Sequence, residues 1–145
     1  MADEEVLLTP RFRVTVGPRN LGAFASCDGL GCEIELEEYR EGGMNDRVWW
    51  LPTRLRYPNI VLTRPVTRDT AKVWQWLRPQ VERVCRTGAE IQALRTDGKP
   101  LIHWTLADVL PVRWSGPSFT VDDVRGTVER LELCHHGIID VRTGR

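Results

Sequence analysis

Cys32-Glu33-Ile34-Glu35-Leu36-Glu37-Glu38-Tyr39 is the stretch whose reading decides the fold. Ile34 and Leu36 alternate with Glu33, Glu35 and Glu37, and a period of two marks a strand whose successive side chains point to opposite faces. The expectation is one buried apolar face and one wet face carrying three carboxylates. A second arm, Asn59-Ile60-Val61-Leu62-Thr63-Arg64, is rich in β-branched residues and stops at Pro65, which lacks the N–H that a central ladder would use.

Residues 40–58 read as a long inter-strand loop, and connections of such length tend to be functional or disordered. Arg40-Glu41-Gly42-Gly43-Met44-Asn45-Asp46 is polar and flexible in composition. Val48-Trp49-Trp50-Leu51-Pro52 instead concentrates aromatic and apolar surface that is costly to leave in water. Two readings follow: the loop folds back on its own domain, or it docks on another subunit, as aromatic anchors do at interfaces.

A chain of 145 residues suits a single domain, 1–145, and can bury roughly two-thirds of its unfolded surface without staples. Twenty basic and twenty acidic residues balance, which disfavours nucleic acid or an anionic membrane as a bulk electrostatic partner. Met1-Ala2-Asp3-Glu4-Glu5 lacks the basic start and apolar run of a signal peptide, and no stretch has the apolar length of a membrane span, so synthesis in the cytoplasm is expected. Cys27, Cys32, Cys85 and Cys134 then read as buried thiols rather than disulfides. Residues 1–10 read as a loose arm.

The remaining pattern is mainly β. Arg11 to Val16 alternates and ends at Gly17-Pro18, Leu21 to Cys27 is a short strand, and Asp28-Gly29-Leu30-Gly31 supplies the turn before the acidic strand. Beyond Pro65 the period changes to 3.6: Thr67 to Thr70 offers N-caps, and Val73, Trp74, Leu77, Val81 and Val84 recur at helical spacing. Pro79 is expected to end or kink that helix near Leu77. Trp74 and Trp76 point to different sides, so one of them belongs to the core. Ile91 to Arg95 and Leu101 to Leu106 flank an Asp97-Gly98 hairpin signal, Asp108 to Arg113 is a further strand, and Val124 to Cys134 is the last, with a bulge or a change of exposed face between Val128 and Leu131. The sum is one short helix on seven or eight strands.

Catalytic and metal motifs have little to stand on. Cys134-His135-His136 sits on a strand, where neighbours point to opposite faces, and Cys27-x4-Cys32 has no second ligand pair, so neither converges on a metal. There is no nucleophile elbow, phosphate loop or HExxH, and no cofactor is expected. Arg54-Leu55-Arg56-Tyr57 is the nearest approach to a basic and aromatic nucleic-acid stripe, and in a balanced chain it reads as an edge or an interface contact.

Several linked motifs resemble the tail tube proteins of contractile-tailed phages and of the related extracellular contractile injection systems. They are Ala25-Ser26-Cys27-Asp28-Gly29-Leu30, Glu38-Tyr39-Arg40-Glu41-Gly42-Gly43-Met44-Asn45, Leu51-Pro52, Tyr57-Pro58-Asn59-Ile60-Val61-Leu62 and Val73-Trp74-Gln75-Trp76-Leu77. Trp104-Thr105-Leu106, Leu110 to Pro117 and Val128 to Ile138 complete the series. The resemblance spans about Phe12 to Ile138, with two departures: Thr53 and Pro65 stand where a glycine is common.

What the resemblance implies is an antiparallel β-sandwich or barrel with one flanking helix, a non-enzymatic subunit of six-fold rings whose strands join into a continuous inner β-barrel. Rings stack into a hollow tube, and open sheet edges become the assembly contact. The inter-subunit or inter-ring loop would comprise Arg40, Glu41, Gly42, Gly43, Asn45, Trp49 and Trp50. Glu33, Glu35 and Glu37 are the lumen-facing candidates. Implied partners are further copies of the chain, a contractile sheath, baseplate and tape-measure proteins, and a cargo effector or DNA in the lumen, with no membrane contact of its own. The alternatives are a tube-initiator or baseplate-adaptor paralogue and, from another class, a monomeric ligand-binding β-barrel.

Overall fold

The alternation from Phe12 to Val16 becomes strand β1 (Arg11–Val16), with Val14 and Val16 buried. The computed structural model describes residues 11–39, 48–117 and 127–144; the arm 1–10 and the loop residues Arg40, Glu41, Gly42, Gly43 and Asn45 lie outside them. Gly17, at φ +58°, turns the chain into β2 (Arg19–Phe24), and β3 (Ser26–Asp28) leaves that pair, so the single strand expected over 21–27 is divided in two.

β4 (Glu33–Tyr39) covers the acidic stretch, but its partner is not the second arm. It pairs antiparallel with β5 (Trp49–Arg56), which lies in the second half of what reads as loop in the sequence. The expected partner, β6 (Ile60–Pro65), pairs with β3 instead. The described residues of 26–39 and 48–65 therefore form one long hairpin in two parts: a base, β3·β6, and a tip, β4·β5.

Helix α1 (Thr70–Glu82) runs through Pro79 without ending at Leu77. Pro79 is exposed, as is Gln75, whose carbonyl loses its N–H partner. Val73 and Trp76 are the buried residues, while Trp74 lies outside, stacked on Trp114 at 6.1 Å. Thr67 Oγ1 accepts from the Asp69 N–H, so the start of the helix is held by a threonine turn rather than by a side-chain N-cap.

β7 (Thr87–Leu94) and β8 (Pro100–Ser115) follow, then β9 (Val128–Cys134) and β10 (Gly137–Thr143), the last unexpected. The two strands read at 101–106 and 108–113 are one, β8. Asp108 takes the left-handed conformation, φ 52°, where β8 turns from one half of the fold to the other. Its first part pairs with β7 and β10, and its last part pairs with β9.

The sheet path is β2-β1-β7-β8-β9-β6-β3, with β10 beside β8 and β4·β5 separate. The two halves share one core, Val14, Ile91 and Leu106 meeting Leu62, Leu131 and Leu133. The fold is antiparallel, mostly β and sandwich-like, with one short helix.

The slip expected between Val128 and Leu131 of β9, as a bulge or a change of exposed face, is not found. Alternation is unbroken, but Glu129 rather than an apolar residue takes the inward position, and the register shift falls on β8 between Pro111 and Arg113. Glu129 is 0% exposed and meets Arg64, 2% exposed, Nε to Oε2 at 2.9 Å. Thr70 Oγ1 and Trp114 Nε1 donate to the same carboxylate at 2.6 and 3.0 Å. Arg64 Nη1 donates to the Leu21 carbonyl at 2.7 Å, and the guanidinium lies 4.0 Å from the Phe24 ring centroid. A Cβ on Gly22 would collide with the Asp69 carboxylate and with Arg64 Nη1, so glycine is required beside this cluster. One buried ion pair thus ties β2, β6, β8, β9 and α1 together.

Candidate assembly interface

The tip β4·β5 is built by pairing alone. Every residue of β5 is exposed, as are all of β4 except the half-buried Glu35. The sequence expectation that Ile34 and Leu36 are buried is not met in the single chain: they are 53% and 55% exposed. The physical reason is position, since the tip lies beyond the paired base and packs on itself.

Cross-strand partners share a face. Ile34 opposes Leu55, Leu36 opposes Pro52 and Glu38 opposes Trp50, giving one largely apolar face. On the other face Glu33 opposes Arg56, Glu35 opposes Arg54, Glu37 opposes Leu51 and Tyr39 opposes Trp49. Trp49 and Trp50, 50% and 59% exposed, therefore serve opposite faces. Thr53 is the unpaired residue of a bulge, its hydroxyl donating to the Glu35 carbonyl at 3.0 Å.

Glu33, Glu35 and Glu37 do share a face, interleaved with cations that sequence reading did not place there. Glu35 bridges Arg54 Nε at 2.7 Å and Arg56 Nε at 2.5 Å. These pairs are exposed and contribute little to stability. Their consequence is electrostatic: three carboxylates and two guanidiniums make a mixed, weakly anionic face. The Arg54 and Arg56 pairing could have been found by setting Arg54-Leu55-Arg56 against Glu33-Ile34-Glu35, once that hairpin was recognised.

The body offers open edges as well. β3 ends the sheet path, and 110–115 of β8 pairs only with β9 among the described residues. Such edges invite a strand from another chain.

His135 and His136 diverge. His136 Nδ1 lies 3.2 Å from Asp108 Oδ2, in the open, whereas His135 is buried and its Nδ1 accepts from the Gly137 N–H at 3.1 Å. No cluster of three metal-ligating side chains exists among the described residues. The four cysteines are free, and Cys32 and Cys85 are exposed rather than buried. Burial, helped by the Asp28 carboxylate, pushes the Cys27 thiol up to about 12. Among the described residues no helix is long and apolar enough to cross a membrane.

Burial also lowers the His135 pKa below its ordinary value of 6.5, against the opposing pull of backbone groups of Gly137 and Pro58. The folded state then binds this proton less readily than the unfolded chain, so the contribution is complete above the ordinary value and is lost as pH falls below 6.5. Unfolding midpoints in urea should fall from pH 7 toward pH 5, and His135→Phe should flatten that slope. Glu90 acts in a lower window. Its carboxyl is lowered first by the hydrogen bond with His103 and then by that from Gln92, so its contribution disappears only below the carboxylate range. A His135→Phe profile parallel to wild type would show that this imidazole is not neutral in the fold.

Comparison with known proteins fits this architecture. Several structures align over nearly the whole chain. A component of an extracellular contractile injection system described as the PVC sheath-tube complex in the extended state has TM-score 0.79 and 23% identity, covering 98% of this chain and 94% of its own. One from the PVC sheath/tube terminator has TM-score 0.78 and 24% identity, covering 98% and 100%. One from the anti-feeding prophage baseplate has TM-score 0.75 and 24% identity, covering 99% and 98%. At these identities the likeness concerns the fold. A search of curated protein sequences gives no match. The T4-like virus tail tube protein gp19 family matches residues 8–139, and with most of its length inside that match the chain belongs to this family.

Proposed function

We propose that this chain is the repeating structural subunit of the inner tube of a contractile injection machine or phage tail, forming six-fold rings that stack around a central channel. The observation that carries this reading is the tip β4·β5, a paired arm with two unburied faces in a chain of the tail tube family. An apolar face of Ile34, Leu36, Leu55 and Trp50 is costly in water, and a neighbouring copy relieves that cost. The edges at β3 and at 110–115 of β8 join copies side by side into a continuous barrel. The loop from Arg40 to Asn45, with Trp49 and Trp50, reaches the next subunit or ring.

In this arrangement the face bearing Glu33, Glu35 and Glu37 lines the channel, its charge tempered by Arg54 and Arg56. A weakly anionic wall leaves DNA or an acidic effector free to pass without adhering. Sheath, baseplate and tape-measure proteins are the outer and terminal partners. Catalysis has no part in this role.

A second reading, a single ring at the end of the tube, has support in the fold likeness to components of baseplate and cap assemblies. Purified full-length chain should form rings, visible by electron microscopy and light scattering, as concentration rises. A chain that stays monomeric at high concentration would overturn both readings in favour of a monomeric β-barrel. An image of the native particle separates the first two, by showing this chain repeated along the tube or confined to one ring.

A further inference from the structure

The long hairpin is interrupted on both strands at one level. Base pairing ends at Asp28 opposite Val61, and tip pairing begins at Glu33 opposite Arg56. Of the linking residues, 29–32 on one strand and 57–59 on the other, all but Asn59 border an open cavity of about 670 Å³. A side chain on Gly31 would meet nothing within 4 Å. Gly29 is closed against the Asn59 carbonyl, but Gly31 and the adjoining space leave the arm room to swing beyond it unless something holds it.

Tyr57 supplies the hold. Its ring packs against the His135 imidazole, with centroids 5.4 Å apart and planes at 56°. A Cβ on Gly137, which has φ +144°, would lie 3.3 Å from Tyr57 Cε2, so the absence of a side chain there makes the seat for the ring. Gly137 is fixed in turn, since it pairs with Ala107 of β8 and the preceding His136 N–H donates to the Ala107 carbonyl at 2.8 Å. Next along the hinge, the Asn59 amide donates to Glu132 Oε2 of β9 at 2.9 Å. The second strand of the hinge is therefore bound to the β9–β10 turn, outside the hairpin.

We propose that Tyr57, seated on His135 and Gly137, is a positioning residue that sets the angle at which the β4·β5 arm leaves the body, so that the arm is aimed before a second copy arrives. This rests on the tube reading for the identity of the second copy, but the aim of the arm is a property of the single chain. Pre-aiming matters because apparent affinity falls in proportion to the fraction of molecules in the competent conformation. A released arm correctly placed one time in ten weakens association about tenfold.

The test uses full-length chain carrying Cys32→Ser and Glu37→Cys, spin-labelled at the introduced thiol and at the native, exposed Cys85. Measured below the ring-forming concentration, wild-type Tyr57 and Tyr57→Phe should give one narrow distance distribution, and Tyr57→Ala a broad one. On unlabelled chain, Tyr57→Ala should raise the concentration needed for rings about tenfold or more, with Tyr57→Phe restoring it. Should Tyr57→Ala lower the melting temperature of the body, Tyr57→Leu, which keeps an apolar group in the seat but no ring, is judged on the same two readings. An unchanged distance distribution, or an unchanged ring threshold in a protein that does form rings, would overturn the proposal. If wild type forms no rings at any concentration the tube reading fails, and the distance distribution alone still decides whether the latch exists.

Discussion

Replacing Arg64 by Ala should lower the unfolding free energy by about 3–5 kcal/mol, the cost of leaving one member of a buried ion pair without its partner. Against a total of about 5–15 kcal/mol for a domain, that is a large part of the stability. The loss should appear as a shift in urea midpoint at little change in slope. The reason is the density of dependence on this pair. Glu129 is fully buried and takes donors from β6, α1 and β8, while Arg64 also holds the Leu21 carbonyl of β2. Arg64→Lys should recover little, because an ammonium lacks the planar fork that reaches both a carboxylate and a carbonyl. Arg64→Met with Glu129→Leu should not restore wild-type stability either, since it leaves the Thr70 hydroxyl and the Trp114 N–H without their acceptor. Full stability in that apolar double variant would show that the cluster serves some purpose other than holding the fold.

The apolar face of the arm should give the opposite profile. Ile34→Asn, Leu36→Asn and Leu55→Asn together should leave the single chain about as stable as before, because each side chain is already half-exposed. Covering the remaining half of each contributes about 1 kcal/mol. The three together contribute about 3 kcal/mol per contact, or roughly a hundredfold in association. Closing a ring repeats that contact, so rings and tubes should be absent at concentrations where wild type forms them. Trp49→Ser with Trp50→Ser should also weaken assembly, chiefly through Trp50 on the apolar face. Light scattering beside a melting curve separates this from misfolding. Normal tubes from the triple asparagine variant would mean that this face stays wet in the assembly.

The contrast between these two sites explains what could be read from the sequence. β1 and β6 announce themselves because local period and burial coincide in Val14 and Val16, or in Ile60 and Leu62, whereas β4 and the helix are legible from period alone. β5 does not. Its Trp49-Trp50-Leu51-Pro52-Thr53 run has no alternation, contains a proline, and hides a bulge at Thr53. The Arg64–Glu129 pair is invisible for another reason: a charged residue in sequence says surface, and only the fold places two opposite charges at the same buried level. The missed β10 follows the Gly137 turn and keeps much of its length exposed, Ile139 and Val141 included, so no core-facing stripe marks it. The expected burial of Ile34 and Leu36 did not appear because their periodicity belongs to a surface that this chain alone does not cover.

β8 gives the molecule its pattern of cooperativity. One uninterrupted strand belongs to both halves of the sandwich, so neither half can melt while leaving the other's ladder whole. Base and body therefore stand or fall as one thermodynamic unit, whereas the arm, tied to that unit by short links, the seated Tyr57 and the Asn59–Glu132 hydrogen bond, can fray and re-form at lower free energy. The chain thus joins a stiff element to a more compliant one.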